Sequence, residues 1–175
     1  MLSKNKVKSK RSRKAAMELS FGMIFAIILI VVFIAFAFYA IKKFLDIQGT
    51  AEVGIFIDNI QNDVDKMWKG SQGSTQESYS VPGKIKMVCI ADYNSNAVGK
   101  NKDIYDEMEQ VFNEEENLFF YPVGSGNGLD SKKIANINIE KITEKENPYC
   151  FDNNGKIEVT IKKSYGDALV MLERD

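Results

Sequence analysis

The chain has 175 residues, a net charge of −1 and two cysteines, but no histidine. Without histidine, the Ser–His and Cys–His nucleophile arrangements are excluded, and the commonest general base and metal ligand are missing. Two cysteines are also too few for a cysteine-rich structural zinc site. An enzyme built from this composition could use only carboxylate or hydroxyl chemistry.

A basic tail occupies residues 1–18. It carries seven Lys and Arg residues between Lys4 and Lys14, and its first acidic residue is Glu18. Nucleic-acid binding is one interpretation of such a tail, but basic residues directly before an apolar run are typical of a cytoplasmic flank. Residues 44–175 carry 14 Lys and Arg against 23 Asp and Glu, a net charge of −9. An acidic domain of this kind binds nucleic acid poorly, so we expect no nucleic-acid partner.

An apolar run without one charged residue begins at Leu19 and ends at Ile41, 23 residues later by inclusive count. A helix of this length can cross the roughly 30 Å hydrocarbon core of a bilayer. Signal-peptide apolar regions are shorter, about 7–15 residues, so we predict a retained transmembrane helix in contact with the lipid bilayer. The basic excess before the run predicts a cytoplasmic N-terminus and an extracytoplasmic C-terminal domain at the cell membrane. Because the run holds no charged residue, it predicts an anchor, not a transport pathway.

A juxtamembrane amphipathic helix is predicted over residues 42–70, with Thr50 as a cap and Gly70 as its stop. Its apolar residues recur at spacings of three and four. They are Val53, Phe56, Ile57, Ile60, Val64, Met67 and Trp68. The opposite face is acidic, whereas a helix lying on a membrane surface favours Lys and Arg there. We therefore expect the apolar face to pack on the domain's own sheet.

A polar linker is predicted over residues 71–83, followed by a sheet-rich extracytoplasmic domain over residues 84–175. Strands are predicted over residues 84–91, 117–122, 135–141, 149–163 and 167–174, the fourth of these being a hairpin. That hairpin turns at Asn154 and Gly155. One short helix is predicted over residues 103–112. The fold class is therefore α+β: an N-terminal transmembrane helix continuing into an amphipathic helix, then a mostly antiparallel sheet domain with one short extra helix.

A disulfide is predicted between Cys89 and Cys150. Both cysteines lie on the extracytoplasmic side of the predicted anchor, where an even pair is typical of a disulfide. The alternative interpretation is two buried free thiols.

Three short motifs resemble binding sites without meeting their requirements. Residues 124–128 are glycine-rich but lack the Lys-Ser/Thr ending of a phosphate-binding loop. Residues 152–155 lack the ligand spacing of a calcium loop. The run of Glu114, Glu115 and Glu116 is typical of a solvated surface. We therefore predict no catalytic residue, no cofactor and no metal site.

The order of these elements resembles type IV pilin-like proteins, in which an N-terminal helix lies half in the membrane and half on a sheet. The stretch "RKAAMELSFGMIF" also resembles the class III leader of archaeal pilins. This resemblance implies a leader that ends at Lys14 and Ala15, with cleavage before Ala16 and the apolar run retained. Glu18 would then be the third mature residue, whereas bacterial pilins carry their glutamate at the fifth.

The sequence predicts a single-pass membrane-anchored surface protein whose extracytoplasmic domain has a structural or protein-interaction role. Its partner would be a protein or an envelope component that the sequence does not identify. The alternative is a pilin-like filament subunit that self-assembles through the N-terminal helix, and a further alternative is a carboxylate-dependent exterior enzyme. A pilin needs cleavage near Ala15 and a helix that continues from Ser20 to Trp68. An enzyme needs two acids that converge in one cleft.

Overall fold

A computed structural model describes residues 21–110 and 115–174 of the chain. The chain divides into two compact units, with the boundary between Lys42 and Lys43. The first unit contains the apolar run, and we call the second unit the exterior domain after its predicted position outside the membrane. The predicted amphipathic helix therefore belongs to the exterior domain itself.

The described residues form three helices and seven strands. The helices are α1 (Phe21–Lys69), α2 (Lys102–Glu109) and α3 (Ile139–Thr143). The strands are β1 (Gly73–Tyr79), β2 (Met87–Ile90), β3 (Leu118–Tyr121), β4 (Ser131–Lys132), β5 (Tyr149–Asp152), β6 (Ile157–Lys163) and β7 (Met171–Glu173).

The strands form two sheets. One has three strands in the order β1-β6-β7, and the other has four in the order β4-β3-β2-β5. Every paired strand ladder is antiparallel. A parallel bridge joins Ile137 to Val170. The predicted α+β class, with a long apolar N-terminal helix before antiparallel sheets and a short helix, is confirmed.

Helix α1 continues through Gly49 without a break. Thr50 therefore lies inside the helix and is not its cap, which corrects the sequence-based expectation. Its hydroxyl donates instead to the Asp46 carbonyl one turn earlier, at 3.0 Å. The helix ends at Lys69, and the following Gly70 amide donates to the Met67 carbonyl at 3.1 Å, so the predicted stop is correct.

The main core lies between α1 and the two sheets. The predicted stripe of α1 supplies its first members, which are Val53, Phe56, Ile57, Ile60 and Val64. They pack with Ile157, Val159 and Ile161 of β6 and with buried residues of the four-stranded sheet. Two of the predicted stripe residues lie nearer the surface, because Met67 is only partly buried and Trp68 is 41% exposed.

The four-stranded sheet is buried on both faces. Val88 and Ile90 of β2 belong to the main core, whereas Cys89 and Ala91 belong to a second cluster that includes Met108 of α2. Because successive side chains of a strand point to opposite faces, this division means that α2 covers the face away from the main core. In the sequence, a strand that is buried on both faces is a continuous run of apolar residues.

The segment predicted as a linker, residues 71–83, contains strand β1. All seven residues of β1 pair with β6, from Gly73 opposite Lys163 to Tyr79 opposite Ile157. Its side chains are polar because it is an edge strand with one face in solvent, and only Tyr79 is fully buried. Polarity alone therefore predicted a linker where the chain forms a strand.

The strand predicted over residues 135–141 does not form. Asn136 has a φ of 64°, which an extended strand does not allow. Asn138 then caps α3, because its Oδ1 accepts a hydrogen bond from the Lys141 amide at 3.1 Å. The alternation of Ala135, Ile137 and Ile139 imitates a strand, but the two asparagines determine the local backbone.

The hairpin predicted at Asn154 and Gly155 is wrong in its pairing. A turn does occur there, and Gly155 has a φ of 101°. However, β5 pairs with β2 in the four-stranded sheet, whereas β6 pairs with β1 and β7 in the other sheet. The turn carries the chain from one sheet to the other.

Candidate functional site

The apolar part of α1 is the first functional feature. All residues from Phe21 to Lys42 are exposed. Within the described residues, α1 is the one helix long and apolar enough to cross a membrane. Exposed apolar side chains around the whole circumference of a helix need a nonaqueous partner, as lipid or another helix would provide.

The basic tail and the predicted leader cleavage site lie outside the described residues. This applies to residues 1–18, and with them to Ala15 and Ala16. The cleavage therefore stays a prediction.

Within the exterior domain, Phe56 joins α1 to both sheets. Its ring lies edge-on to Tyr79 of β1, with centroids 5.5 Å apart, and to Phe120 of β3, with centroids 5.7 Å apart. Edge-to-face aromatic pairs add about 0.5–1.5 kcal/mol beyond the burial of their area. Phe56 is 1% exposed, so this contact holds the second half of α1 on the domain.

Asn127 binds α1 near the start of the exterior domain. Its Nδ2 donates to the Asp46 carbonyl at 3.1 Å, and its Oδ1 accepts a hydrogen bond from the Lys84 ammonium. A side chain at Gly49 would place its Cβ 2.7 Å from the same Nδ2. Gly49 therefore allows the close approach of the loop that carries Asn127.

The β6–β7 turn binds the other end of α1. The Trp68 indole donates to the Ala168 carbonyl at 3.1 Å. The Lys163 ammonium donates to the carbonyls of Trp68 at 2.6 Å and Gly70 at 2.9 Å. A lysine at the C-terminus of a helix also interacts favourably with the helix dipole.

Tyr79 fastens β1 to the last two turns of α1. Its hydroxyl donates to Asp63 Oδ2 at 2.9 Å. Burial, and then the hydrogen bond to Asp63, raise the pKa of Tyr79 well above its ordinary value. Asp63 also pairs with Lys66 at 2.7 Å, and this contact raises the pKa of Lys66.

The outer face of α1 in the exterior domain carries an apolar ridge, which consists of Ile47, Ala51 and Ile55. These residues are four apart and so lie on one line along the helix. Ile47 is 58% exposed and Ile55 is 60% exposed. The ridge lies opposite the stripe that packs on the sheets, so no described part of the domain covers it.

The disulfide between Cys89 and Cys150 is present. It joins β2 to β5 at positions directly opposite each other in the ladder. The two residues are 0% and 2% exposed. The disulfide is therefore part of the second cluster, which includes Met108 of α2, and is shielded from solvent.

The most buried acidic residue of the described domain, Asp92, is used in loop structure. Asp92 is 5% exposed, and its carboxylate accepts hydrogen bonds from the Asn94 amide at 3.0 Å and the Ser95 hydroxyl at 2.9 Å. Asn147 is 1% exposed and donates to the Asp92 carbonyl at 2.8 Å. These bonds shape one loop, and a shallow cavity of about 340 Å³ beside it is lined by Asp92, Glu115 and Glu116 together with Lys133.

The other motifs take up different positions in the described residues. Glu116 accepts a hydrogen bond from the Ser131 hydroxyl. Asp152, Asn154 and Gly155 border an open cavity of about 570 Å³ that Arg174 also lines. Within residues 21–110 and 115–174, no group of three or more Asp, Glu or Cys side chains could hold a metal ion. Glu114 lies outside these ranges.

Arg174 connects the C-terminal segment after β7 to β5, a contact that sequence reasoning missed. Its guanidinium pairs with Glu146, lies 4.3 Å from the ring centre of Tyr149 and donates to the Cys150 carbonyl at 3.1 Å. Asn127 and Lys163 were missed in the same way, since their partners lie far away in sequence. The one sequence signal was the glycine-rich surroundings of Asn127, which are typical of a tight loop.

Comparisons of the chain with protein families, with curated proteins and with solved structures gave no match.

Proposed function

We propose that this chain is a single-pass membrane protein that displays a disulfide-tied domain outside the cell membrane, with a structural or protein-interaction role. The N-terminus lies in the cytoplasm. The exposed apolar segment of α1 is the observation that carries the proposal. The buried disulfide supports an oxidising compartment for the exterior domain.

The role is proposed as non-catalytic. The most buried carboxylate of the described residues, that of Asp92, accepts hydrogen bonds within its own loop. The contacts between α1 and the sheets make a firmly held domain, as a scaffold or a binding module requires.

Alkaline carbonate extraction of membranes from cells that make the protein tests the anchor. We expect the protein to stay in the membrane pellet. The paired change Ile30→Asp with Phe33→Asp should release it, because each charge at mid-span costs about 2.5–3.5 kcal/mol of insertion free energy. The matched change Ile30→Leu with Phe33→Leu should leave it in the pellet. Release of the unchanged protein would contradict the proposal.

A pilin-like filament subunit is the second candidate function. Two observations favour it: α1 continues from Phe21 to Lys69, and its outer ridge of Ile47, Ala51 and Ile55 is uncovered. Such a ridge fits a contact with α1 of a second copy.

The mass of the intact protein from its native membrane tests this candidate. A filament subunit should begin at Ala16 and retain the apolar run. A protein that still carries residues 1–15 would contradict the pilin-like function and leave the anchored surface domain in place.

A further inference from the structure

One end of the exterior domain is built around the residues that follow the apolar run. We call this end the base and define it as residues 43–49, 82–84 and 122–130. Asn127 joins its parts, because it binds both the Asp46 carbonyl and the Lys84 ammonium. An open groove of about 310 Å³ lies between α1, residues 82–84 and Asn127.

The loop of residues 122–130 has a fixed shape. The Gly126 amide donates to Asp130 Oδ1 at 2.7 Å, and the Ser125 amide donates to the Pro122 carbonyl at 3.0 Å. A Cβ on Gly126 would lie 2.5 Å from the Leu129 carbonyl oxygen, so the loop closes tightly on itself. The base is therefore a defined surface, and its loop is not a loose connection.

The surface of the base is mixed in chemistry. Its exposed apolar side chains are Phe44, Leu45, Ile47, Val123 and Leu129. The groove adds the Lys84 ammonium and the carboxylates of Asp46 and Glu52. Apolar groups beside charges of both signs match the zwitterionic headgroup layer of a phospholipid bilayer, where amphipathic side chains are stable.

The chain itself keeps the base near the bilayer. Asp46 follows Ile41, the last residue of the apolar run, by five positions, which is at most about 18 Å of extended chain. The opposite end of the domain is well separated from the base, since the helix rise places Trp68 about 33 Å from Asp46. Tyr165, which is 84% exposed, is in the turn bound to Trp68.

We propose that the base rests on zwitterionic phospholipid headgroups of the membrane that holds the anchor. The domain then stands on the bilayer in one orientation, with the β6–β7 turn directed away from it. This inference rests on the proposed function, because it requires the apolar run to span that membrane.

Single-cysteine labels on the full chain test the orientation. The two native cysteines form a disulfide, so an added cysteine is the one reactive thiol of the sequence. Gly83→Cys places the label at the base, where a Cβ meets nothing within 4 Å. Tyr165→Cys places it at the far end, and Ser74→Cys places it on the exposed side of β1 at that same end.

Each labelled protein is reconstituted into phosphatidylcholine vesicles that contain a headgroup nitroxide lipid, and fluorescence quenching is measured. We expect the label at Gly83→Cys to be quenched at least about three times as strongly as the label at Tyr165→Cys, because the two ends are roughly 33 Å apart. The label at Ser74→Cys should behave like that at Tyr165→Cys, because Ser74 pairs with Lys162 at the far end of β1. Equal quenching at all three positions, or stronger quenching at Ser74→Cys than at Gly83→Cys, would overturn the inference.

A paired variant separates contact from mere proximity. In the Gly83→Cys background, Val123→Asp with Lys84→Glu should lower the quenching to the far-end level. The matched control is Val98→Asp with Lys100→Glu, because Val98 and Val123 are 39% and 38% exposed. Quenching that is unchanged by the base variant would also overturn the inference.

Flotation of the same vesicles separates this inference from the proposed function. Protein that floats with the vesicles but shows no preference for the base refutes the orientation and leaves the anchor in place. Protein that fails to float refutes both.

Discussion

Phe56 and Phe120 meet edge to face, with ring centroids 5.7 Å apart, and both rings lie in the main core. Through this contact a helix that begins as an exposed apolar segment becomes part of a folded domain. The stability of the exterior domain should therefore depend strongly on one side chain of α1.

The first prediction is that Phe56→Ala lowers the free energy of unfolding by about 3–5 kcal/mol, through lost burial and the cavity that remains. Its neighbour gives the control, since Ile55 is 60% exposed and Ile55→Ala should change stability by less than about 0.5 kcal/mol. Urea unfolding of the full chain in detergent, followed by fluorescence of the single Trp68, measures both. Similar losses for the two variants would show that α1 does not pack as described.

The fold could be predicted where the residue pattern is local and is set by burial. The stripe from Val53 to Val64 follows the helical period, and the apolar run of β3 marks a strand buried on both faces. The disulfide could be predicted because the two cysteines are even in number and both follow the predicted anchor on its extracytoplasmic side. These features need no knowledge of distant partners.

Other features could not be predicted because distant contacts decide them. Strand β1 is polar and exists through its pairing with β6, about 80 residues later. The turn at Gly155 is a correct local signal, but the pairing of β5 with β2 decides that no hairpin forms. The bond from Asn127 to Asp46 joins two polar residues far apart in sequence, and nothing local marks it.

The second prediction concerns two glycines of α1. Gly54→Ala should stabilise the domain by about 0.5–1 kcal/mol, because alanine favours the helix and its Cβ would make an ordinary 3.9 Å contact with Leu129. At Gly49→Ala the same gain should be largely offset, because the Cβ displaces Asn127 from the Asp46 carbonyl, a bond worth about 1 kcal/mol.

A double-mutant cycle isolates that contact. In an Asn127→Ala background, Gly49→Ala should regain the full stabilisation seen for Gly54→Ala. If Gly49→Ala behaves alike in both backgrounds, Asn127 does not approach the helix at this position. Thermal or urea unfolding of the four proteins gives the coupling free energy.

The third prediction concerns the disulfide. Reducing the bond between Cys89 and Cys150 should lower the free energy of unfolding by about 2–4 kcal/mol, because it frees a long loop of the unfolded chain. Both cysteines are buried, so iodoacetamide should label them only after reduction and denaturation together. Labelling after reduction alone would show that the second cluster, around Cys89 and Cys150, is open to solvent.

The fourth prediction is a loss of stability at alkaline pH. Because burial and Asp63 raise the folded-state pKa of Tyr79 above its unfolded value near 10, its contribution is complete below about pH 10 and is lost as pH rises further. The free energy of unfolding should fall by up to about 1.4 kcal/mol per pH unit above that point.

Two variants check the source of this slope. Tyr79→Phe should make the alkaline slope shallower, although it also removes the hydrogen bond to Asp63 and lowers stability at neutral pH. Tyr165→Phe should leave the slope unchanged, because Tyr165 is 84% exposed. Equal slopes for all three proteins would remove Tyr79 as the cause.

The most direct test of the account is the topology of the chain in intact cells, read by a membrane-impermeant maleimide. Tyr165→Cys places a thiol in the exterior domain and Ser9→Cys places one in the basic tail, while the unchanged protein, with its disulfide, is the unlabelled control. We predict labelling of Tyr165→Cys in intact cells and of Ser9→Cys only after permeabilisation. Labelling of Ser9→Cys in intact cells, with Tyr165→Cys protected, would contradict the account.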